Sequence, residues 1–307
     1  MTSGIAWVFP GQGSQSIGMG QEIAATWPEA AGVYDEAAAA LGFSVSKLCW
    51  EGPEKDLLRT SNQQPAIVTT SVAMLRALLK ENLLPEPDYV AGHSLGEYSA
   101  LVAAEALTLP DALRLVRRRG ELMEQHGHGA MIAVLGLDEE VVQLVANESG
   151  AEVANFNAPG QVILSGSDDA IEVAELAAKT RGARRVIRLA VRGAFHSSLM
   201  APVAEALVAD IARTTIVKPR VPLVANVTGE PIAHPDDIRA ELVEQICGSV
   251  RWTRSVETMA ELGVTHFYEV GAGSVLSGLI GRIDKSASAQ TAERLLADAG
   301  SRSEGKA

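Results

Sequence analysis

Cysteine is nearly missing from this chain of 307 residues, with only Cys49 and Cys247 present. Two lone thiols make neither a disulfide framework nor a metal cluster, so no metal site is expected. Aromatic residues are scarce at 4%, and Ala, Gly, Val and Leu take their place. Small side chains of that kind suit helices packed closely on a sheet. Basic residues are outnumbered 26 to 38, a net charge of −12, which argues against broad nucleic-acid binding. No apolar run approaches the roughly 18 residues that a membrane helix needs. The first such run, Ile5 to Phe9, is too short and lacks the preceding charge of a signal peptide. The expectation is therefore a soluble cytoplasmic protein with no membrane or nucleic-acid partner, working as a monomer. What is present fits that class: 47% hydrophobic and 21% charged residues, in a length that suits one large domain and a smaller one.

Strands, glycine-rich turns and helices alternate along the chain, which points to an α/β fold. Ile5–Phe9 reads as a buried strand broken by Pro10-Gly11-Gln12-Gly13-Ser14. Pro65 is expected to open a helix running to about Glu81, because its fixed φ suits a first turn. Tyr89–Ala91 reads as a strand followed by a helix, and an arginine-dense helix covers 111–126. From Gly129 the rhythm changes to β-α-β-β-α-β, the order of a ferredoxin-like unit, ending in a strand at Arg185–Val191. Residues 129–192 thus read as an insertion between the two parts, 1–128 and 193–284, of a large domain. From Lys285 onward the residues are small and polar, and a frayed tail is expected over 285–307.

Chemistry concentrates at Gly92-His93-Ser94-Leu95-Gly96, which follows a strand and precedes a helix. That context is what a nucleophile elbow requires: glycines let the tight turn close, and the helix N–H groups beginning with Leu95 can stabilise an oxyanion. A serine nucleophile needs a base. His93, adjacent in sequence, points away in such an elbow. His196 sits where the inserted unit returns to the large domain, where clefts form, and is the best base. The acids between Ser94 and His196 read as solvated faces, so none can be named as a triad member. A Ser–His dyad with a neutral acceptor on the imidazole is the expectation. In Arg117-Arg118-Arg119, three successive helical positions fan over about 200°, so at least one arginine should turn inward and need a carboxylate partner.

An ordered set of segments carries a resemblance over roughly residues 5–283. It runs Phe9-Pro10-Gly11-Gln12-Gly13-Ser14-Gln15, Gly92-His93-Ser94-Leu95-Gly96-Glu97-Tyr98, Arg119-Gly120 and Gly129-Ala130-Met131. It continues through Asn155-Phe156-Asn157-Ala158-Pro159, Ala194-Phe195-His196, Asn226-Val227-Thr228-Gly229 and Glu269-Val270-Gly271. The chain resembles malonyl-CoA:acyl-carrier-protein transacylases, including the acyltransferase domains of fatty-acid and polyketide synthases. The resemblance implies an α/β-hydrolase-like large domain carrying a ferredoxin-like small one. It implies malonyl transfer from malonyl-CoA to acyl carrier protein, with no bound cofactor, in fatty-acid synthesis or for a polyketide synthase. A serine thioesterase or esterase is the remaining alternative. By the same resemblance Ser94 would carry the acyl group and His196 would be base and then acid. Backbone N–H groups of Gln12 and Leu95 would form the oxyanion hole, and Arg119 would grip the malonyl carboxylate in a two-pronged pair. Gln245 would hold the imidazole N–H through its main-chain carbonyl, and Phe195 would disfavour a branched α-carbon. Carrier proteins are acidic, so a local basic surface is needed. Lys179, Arg181, Arg184, Arg185, Arg188 and Arg192 form an acid-free stretch bordering His196, with Arg184 and Arg185 as the docking candidates.

Overall fold

The structure is a computed structural model that describes residues 3–191 and 193–304. Among the described residues ten strands, numbered in chain order, are β1 (Gly4–Phe9), β2 (Tyr89–Gly92), β3 (Ala130–Leu135), β4 (Glu152–Ala158), β5 (Gln161–Gly166), β6 (Arg185–Arg188), β7 (Leu223–Val224), β8 (Pro231–Ile232), β9 (Val264–Glu269) and β10 (Ser288–Thr291). Six of them form one sheet in the order β10-β9-β1-β2-β7-β8, parallel except at the β7–β8 edge. Both faces of this sheet are buried, and β1 shows why its sequence is apolar throughout. Trp7 and Phe9 face a core shared with the helices Pro28–Leu41, Thr60–Lys80, Leu109–His126 and Ala201–Arg213. Ala6 and Val8 face the opposite core, against Trp252–Glu261 and Val275–Ile283. Crossovers between parallel strands put the ends of β1 and β2 side by side, with Phe9 opposite Gly92. The loop after Phe9 and the turn after Gly92 therefore converge on one point at the carboxyl edge of the sheet, where ligands of α/β folds gather.

The remaining strands form an antiparallel sheet ordered β4-β5-β3-β6. Counted within this unit the order is 2-3-1-4, the ferredoxin-like arrangement. Ile132 and Val134 face its own helices, Glu139–Ser149 and Asp168–Thr180. Met131, Ala133 and Ile163 instead join the large core, so period-2 alternation welds this sheet to the rest of the molecule. Among the described residues no helix is long and apolar enough to cross a membrane.

Three local expectations are corrected. The helix expected to open at Pro65 begins at Thr60 and carries the proline in its interior. Pro65 has no N–H to give the Ser61 carbonyl, and Arg117 Nη1 takes that carbonyl at 3.0 Å instead. The strand expected to reach Val191 ends at Arg188. The segment after Lys285 is not frayed up to Glu304: β10 pairs in parallel with β9 and leads into the helix Ala292–Glu304. Ala292 and Leu296, one turn apart, are buried in the large core, an anchor that the polar surroundings conceal.

Candidate active site

The turn after β2 can close only because Gly92 and Gly96 lack side chains. A Cβ at Gly92 would lie 1.9 Å from the Gly96 carbonyl carbon, and one at Gly96 would lie 2.1 Å from the Phe9 carbonyl oxygen. Between them Ser94 adopts φ 50°, a left-handed conformation that costs a non-glycine residue of order 1–3 kcal/mol. Asn226 offsets that cost. Its Oδ1 accepts the Ser94 N–H at 2.7 Å, and its Nδ2 donates to the Gly92 carbonyl at 2.6 Å.

The strained turn aims the Ser94 hydroxyl at His196, whose Nε2 is 2.8 Å from Ser94 Oγ. His196 also has a positive φ, 57°, in the segment joining the antiparallel sheet to the helix Ala201–Arg213. Its Nδ1 lies 2.8 Å from the Gln245 carbonyl and 3.1 Å from that of Gly248. Two acceptors around Nδ1 place the ring proton there, leaving Nε2 to accept from the serine. Among the described residues no carboxylate touches this imidazole. Burial, reinforced by the nearby Arg119 cation, pushes the His196 pKa down to about 3. The ring is therefore a neutral base at physiological pH.

The three arginines diverge as helical geometry requires. Arg117 pairs with Glu121, Arg118 reaches Asp210 at 3.5 Å, and Arg119 turns inward to complete burial. Arg119 Nη2 donates to Ser94 Oγ and to Gln245 Oε1, each at a long 3.2 Å. Among the described residues its Nε and Nη1 have no hydrogen-bond partner. Burial lowers its affinity for a proton, while Tyr98 and Glu97 oppose that shift. A guanidinium holds its charge even so, which leaves a buried cation with idle donors beside the serine hydroxyl.

Gln245 joins these parts. Besides its carbonyl on His196, its side chain donates to the Ser94 carbonyl at 2.9 Å and to Glu97 Oε2 at 2.6 Å. Gln12 leans on the elbow from the β1 loop, where a Cβ on the preceding Gly11 would lie 2.3 Å from the His93 carbonyl oxygen and 3.7 Å from the Leu95 nitrogen. Its side chain donates to Gln63 Oε1 at 2.6 Å. Leu95 is buried at the N-cap of the helix Gly96–Ala103. Phe195 is buried beside His196, with its ring 2.9 Å from where a Gly193 side chain would begin. His93 turns away from the serine and meets Asn157 Oδ1 at 2.7 Å.

The expectation that the acids after Ser94 are solvated fails at Glu97, which is fully buried and accepts the Asn226 N–H at 2.8 Å. Glu241, 4% exposed, adjoins it and accepts the Val227 N–H at 3.0 Å. A usable signal existed: the helix after the elbow is small or apolar on every side, which marks a buried helix, so its first acid had to be buried too. In the basic stretch Lys179, Arg181 and Arg188 are paired with Glu175, Glu148 and Asp168. Arg184 and Arg185 are exposed and, among the described residues, form no salt bridge, while Arg192 lies outside the described residues.

Residues 6–298 match the acyl transferase domain family. The chain belongs to that family. A malonyl CoA-acyl carrier protein transacylase of Bacillus subtilis (strain 168) is 44% identical over 291 residues, covering 92% of this chain and 91% of its own. An acyl carrier protein S-malonyltransferase from Vibrio cholerae superposes with a TM-score of 0.91 at 38% identity, covering 94% of this chain and 96% of its own. A malonyl-transacylase solved in complex with a type II PKS acyl-carrier protein gives a TM-score of 0.91 at 40% identity and the same coverage. This acyl transferase is an enzyme, and its α/β-hydrolase-like and ferredoxin-like units are those of its relatives.

Proposed function

We propose that this acyl transferase moves a malonyl group from malonyl-CoA to the phosphopantetheine thiol of an acyl carrier protein through an ester on Ser94. The observation that carries the reading is the buried, partly unpartnered Arg119 guanidinium 3.2 Å from a serine hydroxyl that already meets a neutral histidine. A hydrolase of neutral esters has no use for that cation. A malonyl carboxylate forks onto Nη2 and one neighbouring nitrogen, which draws Nη2 away from Ser94 Oγ and frees the hydroxyl.

In the first half-reaction His196 Nε2 takes the Ser94 proton as Oγ attacks the thioester carbonyl. The developing oxyanion is met by the N–H groups of Leu95 and Gln12, of which one donor is worth about 3–4 kcal/mol in such sites. Collapse expels the coenzyme A thiolate, which takes the proton from the imidazolium and leaves as a thiol. In the second half the carrier's pantetheine thiol gives its proton to His196 and its sulfur attacks the ester. Ser94 Oγ departs and recovers the proton. The Gln245 and Gly248 carbonyls hold Nδ1–H throughout. Phe195 crowds the α-carbon and favours malonyl over methylmalonyl, by about 1–3 kcal/mol for one methyl group.

One chain supplies every group named, so we read the enzyme as a cytoplasmic monomer needing no cofactor, with Arg184 and Arg185 docking the acidic carrier. Fatty-acid synthesis is the assigned pathway. The relative solved with a type II PKS carrier favours a second reading, service to a polyketide synthase, and comparing transfer rates to the two carrier types separates them. Intact-mass measurement after mixing with malonyl-CoA tests the core proposal. The expected product is a malonyl adduct that persists until carrier protein is added and is absent in Ser94→Ala. Rapid release of free malonate without carrier would assign hydrolysis instead.

A further inference from the structure

We propose that Glu97 is a positioning residue whose carboxyl, bonded to the Asn226 main chain and the Gln245 side chain, fixes Ser94, His196 and Arg119 as one unit. The inference rests on the roles assigned above to those three residues. The Glu97 carboxyl never reaches them itself, although the Glu97 N–H donates to the Ser94 carbonyl at 3.1 Å. Its Oε1 accepts the Asn226 N–H at 2.8 Å, and Asn226 in turn holds the Ser94 N–H that sustains the strained φ. Its Oε2 accepts Gln245 Nε2 at 2.6 Å, and Gln245 carries the imidazole on its carbonyl and Arg119 on its amide oxygen. Nucleophile, base and guanidinium thus depend on two residues that meet at one carboxyl group.

The surroundings suit this role better than a purely stabilising one. A buried acid in an apolar helix is weak evidence for stability, since packed hydrophobic residues commonly do as well or better there. Glu241 lies against Glu97 from the helix Pro235–Glu244, and the Gln245 N–H closes on the Glu241 carbonyl at 2.8 Å. Burial and the Glu241 carboxyl both raise the pKa of Glu97 well above the ordinary range. The Gln245 Nε2 bond to Glu97 Oε2 ties the helix that delivers Gln245 to the helix after the elbow. The unit needs an acid at position 97, not merely a polar side chain. Both Glu97 oxygens accept hydrogen bonds, and an amide nitrogen in place of either would confront a donor with a donor.

Rapid-quench acylation of the full chain with malonyl-CoA tests the inference, with malonyl-serine per chain read as amplitude and its formation as a rate constant per competent site. In Glu97→Gln the rate constant per site should fall by about 10- to 100-fold, the scale of a small misplacement of reacting groups. In Glu241→Gln it should fall by no more than about threefold, because the amide oxygen still accepts the Val227 N–H and both Glu97 oxygens keep their donors. If Glu97→Gln does not fold, Glu97→Asp must show the same drop, since it keeps the acid but withdraws it by one methylene. An unchanged rate constant with reduced amplitude would make Glu97 a stability residue only, and equal damage from Glu241→Gln would remove the need for two accepting oxygens; either overturns the inference. A wild-type protein that forms no malonyl-serine overturns the transfer reading, and this inference falls with it.

Discussion

Replacing Arg119 by alanine separates a carboxylate-binding role from a structural one, because the two affect different donors. The guanidinium makes two long bonds inside the protein, to Ser94 Oγ and Gln245 Oε1 at 3.2 Å each. Losing them costs about 0.5–1.5 kcal/mol apiece whatever the acyl group, roughly a tenfold common loss. A malonyl carboxylate adds two charge-assisted bonds of about 1.5–3 kcal/mol each, so the malonyl reaction alone loses a further ~3–6 kcal/mol, or roughly 10²- to 10⁴-fold. Acetyl-CoA makes no such bonds. With its methyl group in place the buried cation keeps unpartnered donors, so removing the cation offsets part of the common loss. The assay is kcat/KM for coenzyme A release from malonyl-CoA and from acetyl-CoA, in wild type and in Arg119→Ala. The malonyl-to-acetyl preference should collapse by at least about 100-fold. Arg119→Lys should recover little of it, since an ammonium is a point donor without the fork. Equal factors of loss for the two donors would refute the assignment.

Much of the fold was legible because its signals are local. Buried parallel strands read as short apolar runs, glycine-rich turns mark their ends, and the change of rhythm at Gly129 announces the antiparallel unit. The misses share a cause: each depends on a partner far along the chain. Pro65 sits inside a helix because Arg117, 52 positions later in the sequence, accepts the duty of its missing N–H by binding the Ser61 carbonyl. Residues 288–304 are ordered because β10 finds an open edge on β9 and Leu296 finds the core. At the site, the elbow and the inward arginine follow from spacing and helical geometry. Gln245 was placed by resemblance for its carbonyl alone, and its side chain proved to touch Ser94, Glu97 and Arg119 as well. Glu97 was misread because a charge in a helix is usually solvated. Only the apolar character of the whole helix around it argues otherwise.

Two further outcomes follow from the charges near the site. Reversing Arg184 or Arg185 to glutamate should raise the KM for carrier protein and spare serine loading from malonyl-CoA, as steady-state transfer against burst kinetics would show; an unchanged KM would dismiss the docking role. The pH dependence of kcat/KM reports the free enzyme, in which burial and the Arg119 cation hold His196 down to about 3. A base works only when deprotonated, so lowering its pKa moves the acid-side loss of rate to lower pH. The rate of Ser94 malonylation per folded site should therefore stay level as pH falls from about 7.5 to 5.5, where a solvated histidine would lose most of its neutral form. Replacing Arg119 by alanine removes one of the causes of the shift and should bring the acid limb upward. A wild-type profile that halves near pH 6.5 would mean that the imidazole is wet and charged like any surface histidine, and the neutral Ser–His pair could not then be the working base.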